Sequence, residues 1–138
     1  MLLGEYSHSL DTKGRIFIPV KFRSELSERV YLSRGKEKCI DIYSEKSWNE
    51  FYNKLIALPL LKSEEARRAI FSGTAVVEPD AQGRILIPAN LRAYAEIGKD
   101  AYVIGVGEKA EIWSREHWEP KSAESPATIW ETLMELGL

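Results

Sequence analysis

The 138-residue sequence predicts an α+β protein in which one small β-rich unit is used twice. Three observations carry this expectation. Asp11-Thr12-Lys13-Gly14-Arg15-Ile16-Phe17-Ile18-Pro19 returns as Asp80-Ala81-Gln82-Gly83-Arg84-Ile85-Leu86-Ile87-Pro88. Internal repetition of this kind marks one supersecondary unit used again. The flanks repeat too, through Phe22 and Arg23 in the first copy and Leu91 and Arg92 in the second. Composition completes the case: 44% hydrophobic and 29% charged residues suit a single folded core, which a chain of this length can build without disulfides.

Within the motif, Asp-x-x-Gly reads as a tight turn. Asp11 and Asp80 can accept hydrogen bonds from backbone N–H groups two or three residues on. Gly14 and Gly83 can take positive φ, which a side chain resists. Arg-Ile-x-Ile then reads as a short strand. Its alternation puts Ile16 and Ile18 on one face, with Arg15 and Phe17 on the other. Pro19 and Pro88 stop the ladder and suit the first turn of a helix. Val20, Phe22 and Leu26 are then available to the core.

The rest of the chain follows in order. Residues 6–10 form a strand leading into the first turn. A helix over Val20–Leu26 precedes strands at 30–32 and 39–43, joined by a turn at Arg34-Gly35-Lys36. Ser44 is an N-cap, and Trp48, Phe51, Tyr52 and Leu55 recur at helical spacing as a core stripe. Leu58-Pro59 breaks that helix. Ser63-Glu64-Glu65 starts another, with Ala66, Ala69 and Ile70 inward, Arg67 and Arg68 in water, and Gly73 at its end. The second half repeats the pattern with strands at 74–77, 102–104 and 110–113 and a cap at Ser114. Pro120 interrupts its helix early. Ser125-Pro126 caps a last helix carrying Ile129, Trp130 and Leu133, whose apolar stripe predicts packing. The halves divide as 1–73 and 74–138 and together form one pseudo-dimeric unit. Neither half has enough strands to close a barrel, whereas two together do, and closure removes exposed edges.

Composition narrows the function. No apolar run is long enough to span a bilayer, and the N-terminus lacks signal-peptide regions, so the expected location is the cytoplasm. The lone cysteine, Cys39, gives no disulfide or metal framework. His8 and His117 are isolated, and no metal is expected at either. There is no Gly-rich phosphate loop and no Gly-x-Ser-x-Gly elbow, so no cofactor, no small-molecule substrate and no catalytic residue is expected. The net charge of −2 is unevenly spread. Residues 1–40 carry +3 and residues 108–138 carry −4. A basic front end with an acidic tail is consistent with a nucleic-acid face.

The two Asp-x-x-Gly-Arg motifs, each followed by Ile-x-Ile-Pro, and the opening Met-Leu-Leu-Gly-Glu-Tyr resemble the MraZ family, relatives of the AbrB-like transition-state regulators. The resemblance covers nearly the whole chain. It implies a swapped-hairpin, AbrB-like β-barrel with peripheral helices and both repeats in one polypeptide. It further implies ring-shaped homo-oligomers and sequence-specific binding to double-stranded DNA at repeated promoter sites. The implied role is transcriptional control of the division and cell-wall gene cluster, in the cytoplasm at the nucleoid.

The family's DNA-reading segments correspond to Asp11–Arg15 and Asp80–Arg84. Two roles fit Arg15 on sequence alone, contact with DNA or pairing with Asp11 across the turn. The resemblance favours DNA for Arg15 and Arg84. Lys13 suits a phosphate, and Gln82 suits a phosphate or an adenine edge. Asp11, Gly14, Asp80 and Gly83 form the loops. Arg23 and Arg92, on helices, are expected in structural ion pairs. Two other classes stand beside this reading: an antitoxin-like DNA-binding module with a partner-binding C-terminal tail, and an enzyme with a site at the barrel mouth.

Overall fold

The two halves exchange strands. The computed structural model describes residues 1–26 and 28–138. Its strands are β1 (Glu5–Ser9), β2 (Arg15–Phe17), β3 (Val30–Arg34), β4 (Ile40–Ser44), β5 (Ala75–Val77), β6 (Arg84–Leu86), β7 (Asp100–Gly105) and β8 (Ala110–Ser114). Its helices are α1 (Glu45–Ile56), α2 (Leu60–Ser72), α3 (Ala89–Tyr94), α4 (Arg115–Ser122) and α5 (Pro126–Glu135). Six strands form one antiparallel sheet in the order β1-β7-β8-β4-β3-β5, and β2 pairs with β6 in a separate ribbon. β1 of the first half pairs with β7 of the second, and β5 of the second pairs with β3 of the first. Exchanging each strand for its repeat equivalent reverses the order onto itself, so the strand order has a pseudo-two-fold. That relation places β4 against β8 and Ile16 directly opposite Ile85.

The α+β class and the swapped hairpins are as expected. Backbone pairing does not close the sheet into a cylinder among the described residues, because β1 and β5 are its two edges. The chain leaves the sheet at each Asp turn, and the β2–β6 ribbon lies over the inner face instead. Ile16, Ile18, Ile85 and Ile87 of the ribbon segments share one buried cluster with Val30, Leu32, Ile40, Ile42, Val103 and Ile112 of the sheet. A lone two-stranded ribbon is marginal in water, so burial of this isoleucine face holds it in place.

Several elements differ from their expected extent. The helix expected over Val20–Leu26 is a single 3₁₀ turn, Val20–Phe22, whereas its repeat equivalent is the α-helix α3. The β-branched Val20 and aromatic Phe22 are poorer helix formers than the alanines of α3. Pro19 and Pro88 are the caps that precede these turns. α2 begins at Leu60, three residues before Ser63. Ser63 is buried, with its hydroxyl donating to the Pro59 carbonyl at 2.8 Å. Arg67 is not simply solvated: its Nη2 donates to the carbonyls of Ile56 and Leu58 and satisfies the end of α1. Ala66 and Ala69 face solvent, and Ile70 is half-buried. Ser44 and Ser114 cap α1 and α4 as expected, each accepting from the backbone N–H three residues on at 3.1 Å. Pro120 lies inside α4, which runs two residues past it.

In the aromatic stripe, Trp48 and Leu55 are buried while Tyr52 is exposed. Trp48 stacks on Tyr31 with ring centres 5.3 Å apart. α5 forms, but its apolar side does not pack away. Ile129, Trp130, Met134 and Leu136 are exposed, Trp130 by 55%.

The ribbon gives a direct contrast between adjacent positions. Ile16 is 1% exposed and Phe17 is 39% exposed. Ile16→Ala is expected to cost about 2–5 kcal/mol through reduced burial and a cavity. Phe17→Ala is expected to cost about 1 kcal/mol or less, because little of the ring is buried. Urea denaturation of both variants checks this, and equal destabilisation would contradict the register.

Candidate nucleic-acid interface

The two repeated turns have one geometry. The backbone N–H of Gly14 donates to the Asp11 carbonyl at 3.0 Å, and that of Gly83 donates to the Asp80 carbonyl at 2.9 Å. Each aspartate Oδ1 accepts two backbone N–H bonds at 2.9 Å, from Lys13 and Arg15 in the first turn and from Gln82 and Arg84 in the second. Gly14 and Gly83 sit at φ +86° and +82°. Both aspartates therefore shape their turns.

The arginines do pair with these aspartates. Arg15 Nε donates to Asp11 Oδ2 at 2.7 Å, and Arg84 Nε donates to Asp80 Oδ2 at 2.8 Å. This pairing uses Nε only. Among the described residues, no hydrogen bond is made by the Nη nitrogens of either arginine. The carboxylate thus fixes the guanidinium and leaves its fork open, the part that matches a phosphate or a guanine edge. Structural pairing and outward presentation are compatible here.

The outward face of the β2–β6 ribbon collects the remaining groups. Arg15 lies opposite Leu86, and Phe17 lies opposite Arg84. Lys13 and Gln82 stand exposed on the turns, and Leu86 is 52% exposed. The Arg84 guanidinium lies 6.0 Å from the centre of the Phe17 ring, at the outer limit of a cation–π contact. The Arg84 side chain is 23% exposed and that of Arg15 is 31% exposed, so the first arginine is the freer one. His8 lies behind Phe17, with ring centres 6.4 Å apart. Burial first, and then the charge of Arg23, lowers the His8 pKa, so the ring stays neutral at neutral pH.

Phe17 and Leu86 join the face through strand alternation, a signal present in the sequence. Arg23 and Arg92 are not in ion pairs among the described residues. Instead Arg23 Nε donates to the Ile18 carbonyl at 3.0 Å and Arg92 Nε donates to the Ile87 carbonyl at 3.1 Å. The halves also meet through the backbone. Ile18 N–H donates to the Gly83 carbonyl at 2.9 Å, and Ile87 N–H donates to the Gly14 carbonyl at 3.0 Å.

A family model described as "MraZ protein, putative antitoxin-like" matches residues 1–69 and again residues 70–132. The chain belongs to the MraZ family. It is 45% identical to the transcriptional regulator MraZ of Alkaliphilus oremlandii (strain OhILAs), with all of both chains covered. It is also 45% identical to the transcriptional regulator MraZ of Thermoanaerobacter sp. (strain X514), over 95% of this chain and 93% of that one. The solution structure of PHS018 from Pyrococcus horikoshii matches at 18% identity and a TM-score of 0.32, over 81% of this chain and 88% of that one. No helix among the described residues is long and apolar enough to cross a membrane.

A second titratable cluster lies on the other face of the sheet from the ribbon, and the sequence does not announce it. Asp41 and Glu111 are directly opposed on β4 and β8, a like-charge pairing that is unfavourable alone. Lys109 Nζ stands 3.0 Å from Asp41 Oδ2 and 3.8 Å from Glu111 Oε2 and offsets the repulsion. Cys39 Sγ and an oxygen of each carboxylate lie within 4.8 Å of one another. Burial pushes the Cys39 thiol up to about 12, so it is protonated at neutral pH and a poor metal ligand. Lys109 already provides the cation these carboxylates need.

The turn has a pH signature. The Arg15 backbone N–H, with help from the Arg15 side chain and the Lys13 N–H, lowers the Asp11 carboxyl to about 2. Asp80 is lowered by the equivalent bonds, the Arg84 backbone N–H first. An unfolded aspartate titrates at about 3.9. A depressed folded value stabilises the turn above the unfolded pKa, and that contribution disappears as pH falls through about 2. Carboxyl-carbon NMR is expected to show Asp11 titrating near 2. A midpoint near 4 would mean the turn bonds are not formed.

Proposed function

We propose that the chain is a sequence-specific DNA-binding transcriptional regulator that acts as a ring-shaped homo-oligomer on repeated promoter sites. The observation that carries this reading is the outward face of the β2–β6 ribbon, where two arginine forks lie open beside Lys13 and Gln82. A two-stranded ribbon fits the major groove of B-DNA. Arg15 and Arg84 are assigned to base edges or phosphates, Lys13 to phosphate and Gln82 to phosphate or adenine. Asp11, Gly14, Asp80 and Gly83 form the loops that present them. Residues 1–73 and 74–138 act as two AbrB-like repeats of one pseudo-dimeric unit, a division supported by their reciprocal strand pairing. The names of the 45% identical relatives support a regulator of transcription and not an enzyme. The family resemblance supports the division and cell-wall gene cluster as the target, with action at the nucleoid in the cytoplasm.

Assembly is supported by surface chemistry. Leu58, Leu60, Leu61 and Phe71 around α2, and Ile129, Trp130 and Met134 on α5, leave apolar side chains exposed, and such surfaces mark contacts with other chains. One ribbon offers few cations. Several ribbons meeting repeated sites add through effective concentration when their spacing matches. The exposed α5 also suits the second reading, in which the C-terminal segment binds a different protein. Light scattering of the purified chain separates the two. A ring requires a multimeric mass across the micromolar range, and a strict monomer would exclude it.

Between the turns, the first is expected to dominate. Residues 8–23 carry four Lys/Arg against one acid, whereas residues 77–92 carry two against two. Arg15 is also less covered than Arg84. Arg15→Ala is therefore expected to weaken binding more than Arg84→Ala. Lys13→Ala is expected to reduce the salt slope of log affinity by roughly 0.9 for each phosphate interaction it removes, with Gln82→Ala close to wild type. Affinities for the protein's own upstream DNA and for a scrambled duplex, across several salt concentrations, test this. Equal weakening and equal slopes would reject the asymmetry. No sequence preference and no salt dependence would reject DNA binding itself.

A further inference from the structure

We infer that Arg23 and Arg92 are crossed positioning residues, each holding the DNA-reading turn of the opposite repeat. Arg92 belongs to the second repeat, yet its guanidinium lies against Gly14 of the first. A Cβ built on Gly14 would stand 2.9 Å from Arg92 Cζ and 3.1 Å from its Nε and Nη1. With Cζ nearest, the flat face of the guanidinium covers the glycine. The reciprocal approach is tighter, with a Gly83 Cβ 2.6 Å from Arg23 Cζ and 2.7 Å from its Nε.

Neither guanidinium is free to swing aside, because each Nε is bonded to a carbonyl of its own repeat. Arg92 is tied to Ile87 and Arg23 to Ile18. Those same residues bond the opposite turn through their N–H groups, Ile87 to Gly14 and Ile18 to Gly83. Each turn glycine is thus held at its carbonyl by one residue and across its Cα by an arginine locked to that residue. The glycines are required twice over, by positive φ and by the lack of room for Cβ. All four arginines are half-buried, but Arg23 and Arg92 bond backbone carbonyls whereas Arg15 and Arg84 bond the turn aspartates.

Only arginine suits this arrangement. Its plane can lie flat on the glycine while Nε–H donates within the plane. A lysine keeps the charge but cannot do both. The pattern of effects is therefore crossed: a change at Arg92 disturbs the turn that carries Arg15, and a change at Arg23 disturbs the turn that carries Arg84.

Two measurements test this, one with DNA and one without. The DNA arm rests on the proposed function, and the other does not. In the DNA-free arm, hydrogen–deuterium exchange is compared for the full chain, R92K and R23K. R92K is expected to speed exchange in residues 11–15 and at Ile87 while leaving 80–84 near wild type. R23K is expected to do the reverse. In the DNA arm, R92K combined with R15A is expected to depart from additivity by about threefold or more in affinity, and R92K with R84A to be additive within about twofold. If R92K does not fold, R92Q, whose planar amide places an N–H donor at the Nε position, is measured in the same way. Faster exchange in the turn of the arginine's own repeat and not in the opposite turn, or in neither turn, would overturn the inference. So would coupling of Arg92 to Arg84 and not to Arg15. Crossed exchange with no DNA binding would support the positioning role and reject the DNA reading alone.

Discussion

Two backbone hydrogen bonds between the halves organise the candidate site: Ile18 N–H to the Gly83 carbonyl and Ile87 N–H to the Gly14 carbonyl. They tie the end of each short strand to the turn that begins the other. With Ile16 opposite Ile85 on the buried side, they make a three-residue pairing into a fixed platform. A two-stranded ribbon of that length has little stability alone. Here its inner face is part of the main core, which holds the ribbon against the sheet beneath it. The strand exchange β1 with β7 and β5 with β3 follows from the same crossing, since each chain segment leads across to the other half before its turn.

The chemistry of the outer face follows from the order of bonding within each turn. Backbone N–H groups engage Oδ1 of the aspartate, and Oδ2 then engages Nε of the arginine. A carboxylate so near a polyanion would be repulsive if free. Satisfied by three donors, it acts instead as a fixed orienting group with a strongly acidic pKa. The arginine keeps four N–H donors on its fork for a partner, and little side-chain entropy remains to be given up on binding. The repeats supply this arrangement twice but not identically. Arg84 has the Phe17 ring beside it and is less exposed than Arg15, and Lys13 adds a charge that Gln82 does not.

Much of this was legible in the sequence because it is local. The repeat announced the turns, the positive-φ glycines, the isoleucine face and the serine caps at Ser44 and Ser114. Each depends on residues within four positions of one another. Non-local features were hidden. Nothing in the spacing of Arg23 or Arg92 says that each reaches a glycine of the other repeat, and their helical placement suggested ion pairs instead. The pairing of Asp41 with Glu111 and the arrival of Lys109 beside them require the β4–β8 register. Ser63 resembled a helix start because Ser-Glu-Glu suits a cap, but Pro59 had already set the first turn. The apolar stripe of α5 predicts packing, yet Ile129, Trp130 and Met134 stay exposed, because spacing alone does not say whether the fold brings another element against that side.

The proposed DNA-binding surface is formed by the turns at 11–14 and 80–83. Photo-crosslinking residues placed singly at positions 13 and 82, and at the control positions 46 on α1 and 131 on α5, test it most directly. With duplex DNA from the protein's own upstream region, crosslinks are expected from positions 13 and 82, more strongly from 13, and not from 46 or 131. Crosslinks confined to position 46 or 131 would contradict the account and place the nucleic-acid surface on the helices.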